Sequence, residues 1–350
     1  MIMDKSSRIT GADIAEYLGI TPATVSRALS GHPRISAKTR QRVCEAAKNL
    51  GYISNATART LVQGRSNIIG ILSGGLHVER TGLELIALDA ELRKHGLLPF
   101  ILYTRSETES IADGARKLIE RDVDGFVVIG CSPGAAHEWR YEALCRQRPT
   151  FFVDPPLLTH DVPTVCSDYQ EPYREAADIL AGRCRTHVHA LVKRSYGLGV
   201  KGHLDSCLNG ITSLLKRFGC RCNMHVVAAR GPSVLCDLSD LRQEYAGVIE
   251  AFLASDPQCD AIICNDDDLA ILAMGLLAQR GKRIPQDVSV LGFGNMLVGE
   301  LVTPQLSSIA RQPVLVAQKT VECLLKRIEN PNVRMVSGMV PGKLVNRQTL

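Results

Sequence analysis

Between Gly19 and Gly31 the chain runs GITPATVSRALSG, and few folds accommodate such a segment. Gly19 supplies a left-handed stop for a preceding helix. Thr21 carries an N-cap oxygen, and Pro22 takes the first helical position, where a missing N–H costs nothing. The helix that follows, Pro22 to about Leu29, turns only Val25, Ala28 and Leu29 inward. Ala23, Thr24, Ser26 and Arg27 are left for the outer side. A helix this short and this polar is not a core element of a large enzyme, so its outer face is there to touch a partner.

The flanks complete a motif. Thr10 and Asp13 have capping-box spacing, and Ile14, Ala15 and Leu18 give the first helix one apolar face. Ser36 opens a third helix, AKTRQRVCEAAKNL, closed by Gly51, with Val43, Ala46, Ala47 and Leu50 as its buried stripe. Helix, tight turn, helix and bracing helix form a helix-turn-helix. In that arrangement the second helix enters the DNA major groove. Small side chains let its backbone come close, and Arg27 is long enough to reach a guanine O6 and N7. Thr21, Thr24 and Ser26 suit phosphate contacts that fix the register.

Charge supports this division. The chain is +5 over 350 residues. Before Asn67 stand ten basic residues against four acidic ones, a local +6 that leaves −1 for everything after it. A basic head on a near-neutral body is the footprint of a nucleic-acid-binding module. No apolar run is long enough for a membrane span, and the polar start lacks a secretory signal, so a cytoplasmic protein is expected. The twelve cysteines contain no C-x-x-C pair and only one C-x-C, Cys220 and Cys222. They read as reduced, mostly buried thiols, not as a metal site.

The segment from ITGADIAEYLGITPATVSRALSG to TARTLVQGRSNIIGIL resembles the N-terminus of the LacI/GalR (lactose/galactose repressor) family. One departure is Ser54, where the family has proline, which loosens the entry to the next element. The resemblance implies a hinge helix over Asn55 to Gln63. In the family two such helices lie in the minor groove of the operator, and Leu61 matches the leucine that wedges into the central base step. So short a segment cannot hold a helix alone in water and is expected to fold only against its twin and DNA. The candidate DNA-contacting residues are therefore Thr10, Thr21, Pro22, Ala23, Thr24, Ser26, Arg27, Ser36, Thr39, Tyr52, Asn55, Ala58, Arg59 and Leu61.

After Arg65 apolar strands alternate with amphipathic helices: NIIGIL, then LELIALDAELRKHG, then LPFILYT, and so on to VSVLGFG. Such alternation builds parallel sheets with helices on both faces. NDDDLAILAMGLLAQRGKRIPQDVSVLGFGN and the closing VPGKLVNRQTL also resemble the family. The fold expected is α + α/β, a helix-turn-helix head (1–53) and hinge (54–65) joined to a two-lobed, periplasmic-binding-protein-like effector domain (66–350). One lobe would take 66–166 and 313–332, the other 167–312 and 333–350.

Ligands of such sheets bind beyond the carboxyl ends of the strands, between the lobes. The resemblance carries effector residues onto Asp154 and onto the pair Asn265 and Asp266. Two positions depart. Cys207 stands where family members have arginine, and Gly294, followed by Asn295, stands where they have aspartate. Losing a donor and an acceptor argues against an ordinary neutral sugar and leaves an unusual ligand, a decayed pocket or a protein partner open. Lys193 lies among basic residues near GLGVKG (Gly197 to Gly202), which suits an anionic effector such as a sugar phosphate. GLGVKG is also a G-x-G-x-x-G, the lone support for a dinucleotide-binding enzyme. A solute-binding protein is the other alternative, but it would have a signal peptide and no basic head. No catalytic set, cofactor or metal site is expected. The reading is a repressor that binds pseudo-palindromic double-stranded operator DNA as a homodimer. A dimer is favoured over a tetramer because no heptad tail follows NRQTL.

Overall fold

The computed structural model describes residues 9–30, 32–52, 64–73, 79–103, 111–130, 147–154, 163–194, 215–216, 219–228, 238–334 and 336–350. They form two compact units, and the division along the chain falls after Ser66.

The first unit is three helices, α1 (Gly11–Leu18), α2 (Pro22–Leu29) and α3 (Ala37–Asn49). Each is started by a side chain three residues from its target. Thr10 and Asp13 close a full capping box, Thr21 accepts from the Thr24 N–H, and Ser36 accepts from the Thr39 N–H. Gly19 and Gly51 hold positive φ of 65° and 67°, which glycine adopts without a Cβ clash. The core is Ile14, Ala15, Val25, Ala28, Val43, Ala46 and Ala47, with Leu18, Leu29 and Leu50 at its margin. These are the apolar stripes expected from helical spacing.

The second unit contains two six-stranded sheets. The strands are β1 (Ile68–Ser73), β2 (Leu98–Tyr103), β3 (Gly125–Ile129), β4 (Thr150–Val153), β5 (Thr164–Asp168), β6 (His187–Arg194), β7 (Arg221–Ala228), β8 (Ala261–Cys264), β9 (Ser289–Gly294), β10 (Ser307–Ala310), β11 (Gly338–Pro341) and β12 (Lys343–Val345). The first sheet has the order β11-β5-β4-β3-β1-β2 and is parallel throughout. The second has the order β12-β10-β9-β8-β6-β7 and is parallel except for β12 against β10. Helices such as Glu79–Lys94, Gln170–Gly182, Asp267–Gln279 and Pro313–Glu329 cover the sheets. The central strands are buried on both faces, hence their continuous apolar runs.

One lobe boundary needs correction. The second lobe was expected to resume at residue 333, but β11 pairs with β5 in the first sheet, Gly338 opposite Val165 through Pro341 opposite Asp168. The third crossing therefore falls at Gly342. An added Cβ there would sit 2.6 Å from the Asp168 carbonyl oxygen, so only glycine lets the two crossing strands pack so closely. The expected helices at AHEWRYEALCRQ and, apart from Leu215 and Lys216, SCLNGITSLLKRFG lie outside the described residues. Eight described cysteines are free thiols. Four of them (Cys166, Cys220, Cys259 and Cys264) are buried, whereas Cys44 and Cys184 are exposed. Among the described residues no helix is long and apolar enough to cross a membrane.

Candidate nucleic-acid interface and interlobe junction

The outer face of α2 is free of the head's own packing. Ala23, Ser26 and Arg27 are exposed, as are Thr21 and Pro22 at its start, while Thr24 is half-buried. Among the described residues the Arg27 guanidinium has no ion pair, so its five donors point to no intramolecular task. Thr10, Thr21, Ser36 and Thr39 are not idle. The Thr21 and Thr24 hydroxyls are 2.9 Å apart, as are those of Ser36 and Thr39, and Thr10 donates to Asp13 at 2.7 Å. Their oxygens fix helix starts first, and an exposed hydroxyl already oriented by its cap can still meet a phosphate. Tyr52 is half-buried, packs against the head core, and its backbone N–H donates to the Ala47 carbonyl at 2.8 Å. Asn55, Ala58, Arg59 and Leu61 lie outside the described residues.

In the body, Asp154 directly follows β4 with φ 41°, a left-handed conformation that aspartate tolerates better than most residues. Its carboxylate is already engaged. Oδ1 accepts from the Ser167 N–H at 3.0 Å, and Oδ2 accepts from Arg311 at 3.2 Å and from the Tyr169 hydroxyl at 3.5 Å. Arg311 Nη1 also donates to Glu84 at 2.7 Å. The side chains of all three charged residues are more than nine-tenths buried, and the Arg311 guanidinium stands 5.4 Å from the centre of the Phe293 ring. Tyr169 meets the same ring edge-on at 4.9 Å. Burial alone would lower the Arg311 pKa; Tyr169, Asp154 and Glu84 outweigh it and raise it. Burial pushes the Tyr169 phenol far above its usual value.

The second lobe has its own buried acid. Asp266 caps the helix Asp267–Gln279 by accepting from the Asp268 N–H at 2.9 Å. Asp267, the next residue, is turned inward, where Oδ1 accepts from Ser308 and Oδ2 from the Met296 N–H, both at 2.7 Å. Burial raises its pKa to about 6, against the lowering effect of those two donors, and Asp266 and Asp268 raise it further. A Cβ at Gly292 would stand 2.1 Å from Asp267 Oδ1, so the strand is glycine where the carboxylate lies on it. Gly294 ends β9 with φ 123°. Asn295, beyond it, is taken up by the C-terminal tail, its Oδ1 accepting from Arg347 at 2.7 Å. The Asn265 N–H donates to the Leu191 carbonyl. Lys193 contributes backbone to β6, and Cys207 and GLGVKG lie outside the described residues.

Glu84, Tyr169, Arg311 and Asp267 were not singled out from sequence. Asp267 carries a signal, as the middle one of three successive aspartates where one N-cap suffices. Arg311 and Glu84 are 227 residues apart, and no local pattern couples them.

Two family models match the chain: the lacI family of bacterial regulatory proteins over residues 11–55, and a periplasmic binding protein-like domain over residues 199–350. The chain is 25% identical to the transcriptional repressor PurR of Vibrio cholerae over 343 residues, 97% of each chain. It is 28% identical to the sucrose operon repressor of Escherichia coli over 309 residues, 85% of this chain and 87% of that one. The crystal structure of the lac repressor dimer bound to operator and an anti-inducer superposes with a TM-score of 0.82 at 22% identity, covering 98% of this chain and 99% of that one.

Proposed function

We propose that the chain is a DNA-binding transcriptional repressor of the lacI type, not an enzyme, whose grip on an operator is modulated by an effector; the match of residues 11–55 to the lacI family of bacterial regulatory proteins supports this. The observation that carries the reading is α2. It is capped, backed by a closed apolar core, and presents Ala23, Ser26 and Arg27 outward, exposed, on a basic head. Arg27 is the base reader, making a bidentate contact to guanine, and Thr21, Thr24 and Ser26 set the register on phosphates.

The working unit is a homodimer in the cytoplasm. Leu83 and Ile86 lie exposed on the helix Glu79–Lys94, Phe100 and Ile101 on β2, and Leu297 and Leu301 in the other lobe. Exposed apolar side chains such as these suit burial against a second copy of the chain. Two copies related by a two-fold axis meet a pseudo-palindromic site. The hinge segment 55–63, with Leu61 as its wedge, folds on that DNA. The effector is a sugar or an anionic sugar derivative held between the lobes, near Asp154, Asn265 and Asp266, or a protein partner that acts on the same pose.

Selection of bound duplexes from a random pool by the full chain tests this. A pseudo-palindromic motif is expected, with affinity falling steeply as salt rises because phosphate contacts release counterions. Recovery of no motif, with affinity independent of duplex sequence, overturns it.

A further inference from the structure

Three segments join the lobes: the end of β5 at Asp168–Tyr169, the link Arg311–Gln312 between β10 and the helix Pro313–Glu329, and Gly342 between β11 and β12. They converge on one cluster. Gly342 N–H donates to the Asp168 carbonyl at 2.8 Å and packs on the Tyr169 ring. Tyr169 meets Phe293 edge-on and reaches Asp154, and Arg311 lies over Phe293 and binds both Asp154 and Glu84. Glu84 and Asp154 belong to the first lobe. Phe293, on β9, belongs to the core of the second.

We propose that Arg311 is a positioning residue of the repressor, an internal cation held between two first-lobe carboxylates and a second-lobe ring that sets the lobe pose on which operator binding depends. This rests on the regulatory reading above. The cation occupies the Asp154 carboxylate from within the chain, out of the link between the lobes. Two features fit this role. The guanidinium has two acidic partners whose side chains are as buried as its own, so moving it from between them separates opposite charges out of contact with water, which is costly. Among the described residues its buried Nε has no hydrogen-bond partner, so Nη1 on the two acids and the ring beneath are what hold the cation in place. A change of lobe pose must therefore carry Arg311 away from Phe293 or away from its acids, and either move is opposed.

The test compares the wild-type full chain with Arg311→Met, Arg311→Lys and Arg311→Ala. Two quantities are read: hydrogen exchange at 164–170, 307–312 and 338–343, and affinity for the duplex that wild type selects from a random pool. Arg311→Met is expected to speed exchange in all three crossings and weaken duplex binding, each by roughly tenfold. Arg311→Lys, which keeps the charge, recovers part of both. Low-millimolar methylguanidinium added to Arg311→Ala restores both, and the neutral isostere urea at the same concentration restores neither. Unchanged exchange and affinity in Arg311→Met overturn the proposal. Faster exchange with unchanged affinity also overturns it, leaving Arg311 a strut. A wild-type chain that selects no duplex is a different failure, that of the regulatory reading itself.

Discussion

The head and the body of this protein are held together over different distances along the chain. In the head every helix start is fixed by a partner three residues away, Thr10 with Asp13, Thr21 with Thr24, Ser36 with Thr39. At the lobe junction the decisive contacts span 157 residues from Arg311 to Asp154 and 227 to Glu84. The lesson concerns division of labour. A surface that must meet DNA in a fixed shape is built from local rules that hold without help. A pose that must be adjustable is built from distant groups, brought together by the fold and separable by a competing partner.

The largest expected effect breaks the body and spares the head. Arg311→Met leaves Glu84 and Asp154 buried without their cation, and loss of one partner of a buried pair costs about 3–5 kcal/mol. Denaturant unfolding followed by a probe in the body should show it, with the head transition unmoved. A parallel fall in both would mean the two units do not unfold separately.

The second prediction uses pH. Asp267 titrates near 6 in the folded body, above its ordinary value of 3.8. A carboxyl with a raised folded pKa binds protons to the native state first. Its stability penalty is therefore full above about 6 and is relieved as pH falls toward 4. The shift corresponds to about 3 kcal/mol at most. Wild type should gain stability relative to Asp267→Asn over that window, and parallel pH profiles for the two would contradict it.

Third, Arg27→Ala should cost about 1–3 kcal/mol on the preferred duplex and much less on random DNA, read by fluorescence anisotropy. Equal losses on both would assign Arg27 to phosphate and leave base reading to other positions. Smallest is Thr21→Ala, which removes an N-cap and should lower head stability by about 1 kcal/mol. Thermal melting of the head should register it while the body transition stays put. A body that responds would mean that local caps in the head reach further than their three-residue span suggests.

How much was legible follows the same line. The three head helices, their caps and their buried stripes could be read because each signal lies within one or two turns. The alternating strands and helices of the body could be read by period as well. The strands β5, β10, β11 and β12 could not, being three to five residues long and, for the last two, separated by Gly342 alone. That is why the third crossing was placed some ten residues too early. Tyr52 stands in a DNA-binding motif, and only the folded head shows that it also packs, half-buried, against the small core. The resemblance marks Asp154 as an effector carboxylate, and only the folded chain shows Arg311 beside it.

The sequence by itself determined the kind of protein, since capping oxygens, glycine stops and helical period act between near neighbours and depend little on the rest of the chain. Tertiary structure alone decided what each acid at the strand ends does. Whether Asp154, Asp266 or Asp267 faces a ligand, a helix end or a buried hydroxyl depends on which strands lie side by side. Burial and electrostatic pairing belong to neighbours in space, and the order of residues does not list them.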